Sequence, residues 1–471
     1  AAVVIGAHGS VEQVYATGLA PGATARLADG GGVTVATQTV NSLGGVLFRD
    51  VAPGGGYVVH SGADTSPPLA VHDDSSTPWD TSFYDQTIAP TGYQYITTRD
   101  GTQLALTVHP PNEPAGVIDL PDIPSLCDQL DPPLDAICDL VPLLDVVDLG
   151  APHPTLIEYS GYATADPDGP VSGIAAIANL MGFAVVDVSM RGTGCSGGAF
   201  DFFEPLQSLD GYDAIEVIAR QSWVRGDHVG MIGISYGGIS QLFTAATRPP
   251  SLAAIAPLSV IDSVPATLYP GGIRNDGFAV AWADERQLEA QPAGQGLAGT
   301  QPYAEAQVAA GDATCIANQA LHPSAADLMT KIDANDTYVP EIADPLDPVA
   351  FVDRIDVPVF LACQWQDEQT GGHCPTLAQR MTGTDRKWFT FTNGVHTDSL
   401  DPETFNRWYD FLSIYVAEQA PLVNSAVVNV AAPIIYQSAL GLPATDLVTL
   451  PPDPIQALPT LDAARDAFEA L

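Results

Sequence analysis

Lysine is nearly missing from this chain: Lys331 and Lys387 are the only two, and the 16 basic residues stand against 56 acidic ones, a formal net charge of -40. A surface this negative repels polyanions, which argues against nucleic acid and anionic membranes as partners. No run of about 18 apolar residues occurs either, so no transmembrane segment is expected. Neither close cysteine pair has zinc-knuckle spacing, and the stretch Gly192-Thr193-Gly194-Cys195-Ser196-Gly197 lacks the lysine of a phosphate loop. No metal and no cofactor are therefore expected.

What is present is ample apolar material: 471 residues, 46% hydrophobic and 15% charged, bury a large core and exceed one ordinary domain. The acidity suits either a salt-rich habitat or an exported protein from a lineage sparing in lysine. Ala1-Ala2 is the kind of small-residue end that signal-peptide cleavage leaves, so the chain reads as mature and secreted. Six cysteines are consistent with that compartment. Two pairs lie close in sequence, Cys127 with Cys138 and Cys363 with Cys374; where both close as local loops, elimination leaves Cys195 for Cys315, one of the 15 connectivities that six cysteines allow. The alternative is six buried thiols in a reducing compartment.

Alternating segments such as Val11-Glu12-Gln13-Val14-Tyr15-Ala16, parted by Pro-Gly and Gly-Gly turns, predict a small β-sandwich-like domain with its linker over 1–88. A hairpin follows, Tyr93 to Thr98 and Gln103 to His109 about an Asp-Gly turn. From residue 153 apolar strands and helices alternate, including the helical stretch Asp213 to Arg220, which predicts a parallel sheet covered on both faces. The domain expectation is a core in two parts, 89–262 (with an insertion at 115–148) and 351–420. A helical lid fills 263–350, and 421–471 is a tail or the start of a shortened jelly-roll.

The sharpest signal is Gly233-Ile234-Ser235-Tyr236-Gly237-Gly238, set between the buried strand His228 to Ile234 and a helical run from Ile239. Strand, elbow and helix make Ser235 the nucleophile candidate, because the small flanking residues let neighbouring segments pass a strained serine. A serine hydroxyl needs an imidazole to take its proton and a carboxylate to orient that imidazole. In doubly wound hydrolases the order is serine, acid, histidine, each just past a strand. Asp367 and His396 fit that order; Asp262 and Asp398 compete as acids and His373 as the base. For the oxyanion, the Tyr236 amide is one donor by construction, and the Tyr162 phenol is the second candidate, its alternative being an ordinary rim aromatic. The fold expected is an α/β-hydrolase: a doubly wound sheet with an inserted helical lid, preceded by a small β-domain.

Several motifs together resemble the cocaine esterase and Xaa-Pro dipeptidyl-peptidase group (CocE/NonD-type) of serine α/β-hydrolases. They are Tyr95-Ile96-Thr97-Thr98-Arg99-Asp100-Gly101-Thr102, Glu158-Tyr159-Ser160-Gly161-Tyr162, Arg191-Gly192-Thr193-Gly194-Cys195-Ser196-Gly197-Gly198, Gly211-Tyr212-Asp213-Ala214-Ile215-Glu216, Gln221-Ser222-Trp223, the elbow itself, and Trp365-Gln366-Asp367. The likeness covers about residues 93 to 420 and implies a nucleophile at Ser235, an acid at Asp367, a base at His396 and an oxyanion hole from Tyr162 and Tyr236. Three departures stand out. Ser189 occupies the position where the group usually has an acid, the jelly-roll expected after 420 has little chain left for it, and the β-domain and the 115–148 insertion are additions.

The leading reading is a secreted serine hydrolase that cleaves small-molecule or lipid carboxylic esters through an acyl-enzyme. A second is an Xaa-Pro dipeptidyl-peptidase or α-amino-acid ester hydrolase, which needs carboxylates to hold a substrate ammonium. Asp276, Asp284 and Glu285 in the lid are candidates for that. A third, from another class, is a wall-associated binding protein without chemistry.

Overall fold

The apolar runs after residue 90 become the strands of one eight-stranded sheet in the computed structural model, which describes residues 4–111, 152–295 apart from 168 and 171, 301–421 and 451–471. Ahead of that sheet lie β1 (Ala7–Gly9), β2 (Val14–Ala16), β3 (Thr24–Ala28), β4 (Thr34–Thr39), β5 (Val46–Phe48), β6 (Gly54–Ser61), β7 (Asp64–Thr65) and β8 (Leu69–Val71). They form two small antiparallel sheets around their own core, which includes Val14, Leu27, Phe48 and Val59. Side chains tie this β-domain to the rest. The Ser10 hydroxyl donates to Asp100 Oδ2 at 2.6 Å, the Tyr15 hydroxyl to the Asp100 carbonyl at 2.9 Å, and Gln13 Nε2 to Glu204 at 2.7 Å.

The large sheet comprises β9 (Gly92–Thr97), β10 (Gln103–His109), β11 (Thr155–Ser160), β12 (Ala184–Ser189), β13 (Val229–Ile234), β14 (Leu252–Leu258), β15 (Val359–Gln364) and β16 (Lys387–Thr392). Their spatial order is β16-β15-β14-β13-β11-β12-β10-β9, and only β10 runs against its neighbours. This is the α/β-hydrolase sheet. Alternate residues of one strand serve opposite cores: Met231 packs on one face with Tyr236 and Phe243, while Ile232 packs on the other with Trp408 and Phe411. Burial on both faces explains the continuous apolar runs.

The covering helices are α1 (Gly173–Leu180), α2 (Pro205–Ala219) and α3 (Tyr236–Ala246). Helix α2 starts well before the Asp213 expected from sequence. Proline sits at its first turn, and every residue from Leu206 to Ala219 is buried, Gln207, Asp210 and Asp213 included, which erases the apolar periodicity. Between β14 and β15 the chain forms α4 (Val264–Leu268), α5 (Ala279–Glu289), α6 (Pro302–Ala310), α7 (Ala313–Asn318), α8 (Leu328–Ala334), α9 (Pro340–Ala343) and α10 (Pro348–Phe351). Cys315 on α7 is bonded to Cys195 in the loop after β12, stapling these helices to the core. Cys363 and Cys374 are bonded as well, whereas Cys127 and Cys138 lie outside the described residues. The chain continues through α11 (Thr376–Arg380), α12 (Pro402–Tyr415) and α13 (Leu461–Glu469). Helix α13, within the stretch read as tail, sets Phe468 against Trp388, Phe411 and Tyr415. Among the described residues no helix is long and apolar enough to cross a membrane.

Candidate active site

Strand β13 ends at Ile234 and α3 begins at Tyr236, which leaves Ser235 alone to make the turn, at φ 57° and ψ -119°. That left-handed backbone is costly for a residue with a Cβ and persists only where surroundings impose it. Here the Ser235 amide donates to the Leu258 carbonyl at 2.9 Å, while its own carbonyl accepts from Ile239 at 2.7 Å. Gly233 has φ 146°, and a Cβ there would lie 2.6 Å from the Gly237 backbone, so the elbow closes only without one. Gly161 is needed for a different reason: a Cβ would stand 2.3 Å from the Tyr236 ring, which crosses the loop after β11.

Asp367 follows β15 and His396 follows β16, and the two side chains meet. His396 Nδ1 lies 2.7 Å from Asp367 Oδ2, with both residues buried. The other carboxylate oxygen accepts from the Gln369 and Thr370 amides at 2.9 and 2.7 Å. Burial alone would raise the Asp367 pKa, but the His396 hydrogen bond and charge and the Thr370 amide outweigh it and hold the carboxyl below its ordinary range. The histidine is fixed at its backbone too. Its amide donates to Glu368 Oε2 at 3.0 Å, and its carbonyl accepts from the Ser259 hydroxyl at 2.8 Å. Among the described residues no hydrogen bond joins Ser235 to His396; in resting hydrolases that contact is often long and tightens with substrate.

The competing acids are engaged elsewhere. Asp262 accepts from the Thr376 hydroxyl at 2.5 Å, and Asp398 caps the turn by accepting from the Val395 amide at 2.9 Å. His373 is exposed, and the buried His322 has Nε2 2.8 Å from the Ser196 carbonyl.

Tyr162 stands on the loop after β11, its ring edge-on to that of Tyr236 at 5.4 Å between centroids. Two residues one helical turn apart on α5 hold it: Trp282 Nε1 donates to the Tyr162 hydroxyl at 3.1 Å, and the Arg286 guanidinium lies 4.8 Å above the phenol ring. The phenol oxygen thus accepts one bond and keeps its own proton to give. Sequence reasoning missed Trp282 and Arg286, because 120 residues separate Trp282 from Tyr162 and no local pattern announces the contact.

Ser235 opens onto a cavity with an empty volume of about 1130 Å³, part of it continuous with solvent, between the loops that follow β13 and β14 and helices α4, α5, α8 and α9. Its lining is aliphatic and aromatic apart from a few threonine, asparagine, glutamine and tyrosine groups, and among the described residues Lys331 is the one charged side chain in it. That ammonium is already held by both oxygens of Asp201, at 2.8 and 2.9 Å. Asp276 and Glu285, the lid carboxylates noted in the sequence, pair with Arg274 and Arg286 and do not line the cavity, nor does Asp284.

Behind the elbow, Glu158 and Asp187 lie side by side on β11 and β12. Burial, and then the charge of Asp187, push the Glu158 carboxyl up to about 8. Arg191 is buried between two carboxylates, donating to Asp210 Oδ1 at 2.6 Å and Oδ2 at 2.7 Å and to Asp100 Oδ2 at 3.0 Å. The described residues contain no cluster of three histidine, cysteine or acidic side chains suited to a metal ion.

An eight-stranded hydrolase sheet with a strained serine at its elbow defines the class: a serine hydrolase on the α/β-hydrolase fold. The profile of the X-Pro dipeptidyl-peptidase (S15) family matches residues 141–398, more than half of the chain, and the chain belongs to that family. A stretch of 103 residues is 35% identical to a Mycobacterium bovis protein whose name carries the words serine esterase, and equally to one from Mycobacterium tuberculosis; it covers 21% of this chain and 16% of each relative. Among solved structures, a CocE/NonD family hydrolase from Staphylococcus aureus is similar at a TM-score of 0.48 and 16% identity, over 69% of this chain and 50% of that one. An aminopeptidase from a marine sediment archaeon is similar at 0.48 and 16%, over 72% and 57%.

Proposed function

We propose that the chain is a secreted carboxylic ester hydrolase working through an acyl-enzyme on Ser235. The observation that carries the choice of ester is the wall of the cavity beside Ser235: among the described residues it contains no carboxylate, and its one ammonium is neutralised by Asp201. An amino-terminal peptidase substrate would bring its own ammonium into that wall, where a buried cation without a partner costs several kcal/mol. An apolar acyl group meets no such penalty.

In this reading the Ser235 hydroxyl attacks the ester carbonyl as His396 Nε2 takes its proton. Asp367, bonded to Nδ1 at 2.7 Å, fixes the tautomer and stabilises the imidazolium. The carbonyl oxygen, now anionic, accepts from the Tyr236 amide and the Tyr162 phenol. His396 returns the proton to the leaving alcohol, and water, activated the same way, releases the acid. Two disulfides among the described residues support an oxidising compartment outside the cell.

The peptidase reading has the family's name in its favour. A panel of p-nitrophenyl acyl esters and Xaa-Pro anilides, run on one enzyme sample, separates the two. Ester turnover exceeding anilide turnover at least tenfold in kcat/KM is expected, and the reverse ratio would overturn the assignment.

A further inference from the structure

Four helices outside the elbow contribute to the wall of the cavity beside Ser235. Besides Ser235 and Ile239 at the elbow, the lining takes in Val264, Ala283, Leu328, Ile332, Tyr338, Val339 and Ile342, with Asn335 and Thr337 as polar neighbours. The inner residues of this series are buried within the protein, Val264 at 6% exposure and Ile332 at 7%. The outer ones are open to solvent, Tyr338 at 56% and Ile342 at 46%. The cavity is therefore a passage, with the nucleophile in its inner wall and an apolar mouth among the lid helices. In its wall, the Tyr269 hydroxyl, just past α4, donates to the Ile332 carbonyl of α8 at 3.0 Å.

We infer that this passage binds a long aliphatic acyl chain, with the ester carbonyl at Ser235 and the methyl end toward Tyr338 and Ile342. The inference rests on the esterase reading and names its substrate class. A compact acyl group, acetyl or benzoyl, would occupy only the part of the wall next to Ser235 and leave the apolar surface beyond it wet. A chain of about ten carbons or more covers that surface and displaces its water. Each methylene moved from water to such a wall is worth about 0.8 kcal/mol, or roughly fourfold in kcat/KM. Among the described residues no unpaired charge stands in the way, since the Lys331 ammonium is paired with the Asp201 carboxylate. The alcohol portion of the ester lies outside the passage and sets no part of this preference.

The test is a series of p-nitrophenyl esters from acetate to palmitate on the full chain, with benzoate alongside, each below its aggregation limit. Expected is kcat/KM that climbs with chain length and favours decanoate over butyrate by at least about 100-fold, a conservative fraction of the six-methylene transfer value. Ile332→Trp, which narrows the passage midway, should lower the decanoate-to-butyrate ratio at least tenfold; should it not fold, the unmodified series decides alone. A maximum at acetate or butyrate, or a preference for benzoate over decanoate, overturns the inference while leaving an esterase. No turnover of any ester, together with no fluorophosphonate adduct at Ser235, overturns the esterase reading and the inference with it.

Discussion

Replacing Tyr162 with phenylalanine deletes one hydroxyl and leaves the ring. The ring's contacts, edge-on to Tyr236 and beneath Arg286, should survive, and Tyr162 is 37% exposed, so little packing is at stake. In the proposed mechanism, what goes is the proton that the phenol would give to the oxyanion. That oxygen carries little charge in the bound ester and nearly a full charge in the tetrahedral state, so the loss falls on the transition state. Deleting one such donor costs about 10² to 10³ in kcat, or roughly 3 to 4 kcal/mol, with KM nearly unchanged. Trp282→Phe is the companion change: it removes the N-H that steadies the phenol and should cost kcat less, about 3- to 10-fold, the worth of an ordinary neutral hydrogen bond. Because Trp282 acts through the phenol, the double variant should be no slower than Tyr162→Phe alone. Steady-state kinetics on a soluble ester measure all four proteins. A Tyr162→Phe enzyme that retains more than about half of its kcat would refute the reasoning and move the second donor to a backbone amide near Gly161 or Ala163.

Asp367→Asn should keep the fold and lower kcat by about 10⁴, since the amide favours the wrong histidine tautomer; a loss under tenfold would point to Asp262 or Asp398. Glu158, with its pKa raised to about 8 from 4.5, favours the folded state most below pH 4.5, and that contribution is lost as pH rises toward 8. Glu158→Gln should therefore flatten the fall in Tm across this window, and an unchanged Tm-versus-pH slope would contradict the shift. Arg191→Met leaves Asp100 and Asp210 buried without their cation and should destabilise by about 3 to 5 kcal/mol in denaturant melts; a loss below about 1 kcal/mol would show the two carboxylates relaxing into water.

Much of the sheet was legible because strands buried on both faces read as plain apolar runs, and the elbow because its glycines flank a strand-to-helix switch. The disulfide between Cys363 and Cys374 followed from close spacing, and that between Cys195 and Cys315 from elimination. The start of α2 was not legible, since a helix buried all round has no polar face to mark its period. Arg191 was visible as part of a motif, but its place between Asp100 and Asp210 spans 91 and 19 residues and is set only by the folded sheet. In a sequence full of acid the lid's carboxylates could not discriminate an ammonium site from an ordinary surface. Only the folded helices show Asp276 and Glu285 turned to arginines and the cavity wall, among the described residues, without a carboxylate.

The central claim is that Ser235 carries the acyl group. Treating the intact chain with a fluorophosphonate and mapping the adduct by peptide mass spectrometry tests it most directly, with Ser235→Ala as the control. The account predicts one adduct, on the peptide containing Ser235, and neither adduct nor ester turnover in Ser235→Ala at an unchanged Tm. An adduct on another serine, or a Ser235→Ala protein that still hydrolyses esters, would contradict it.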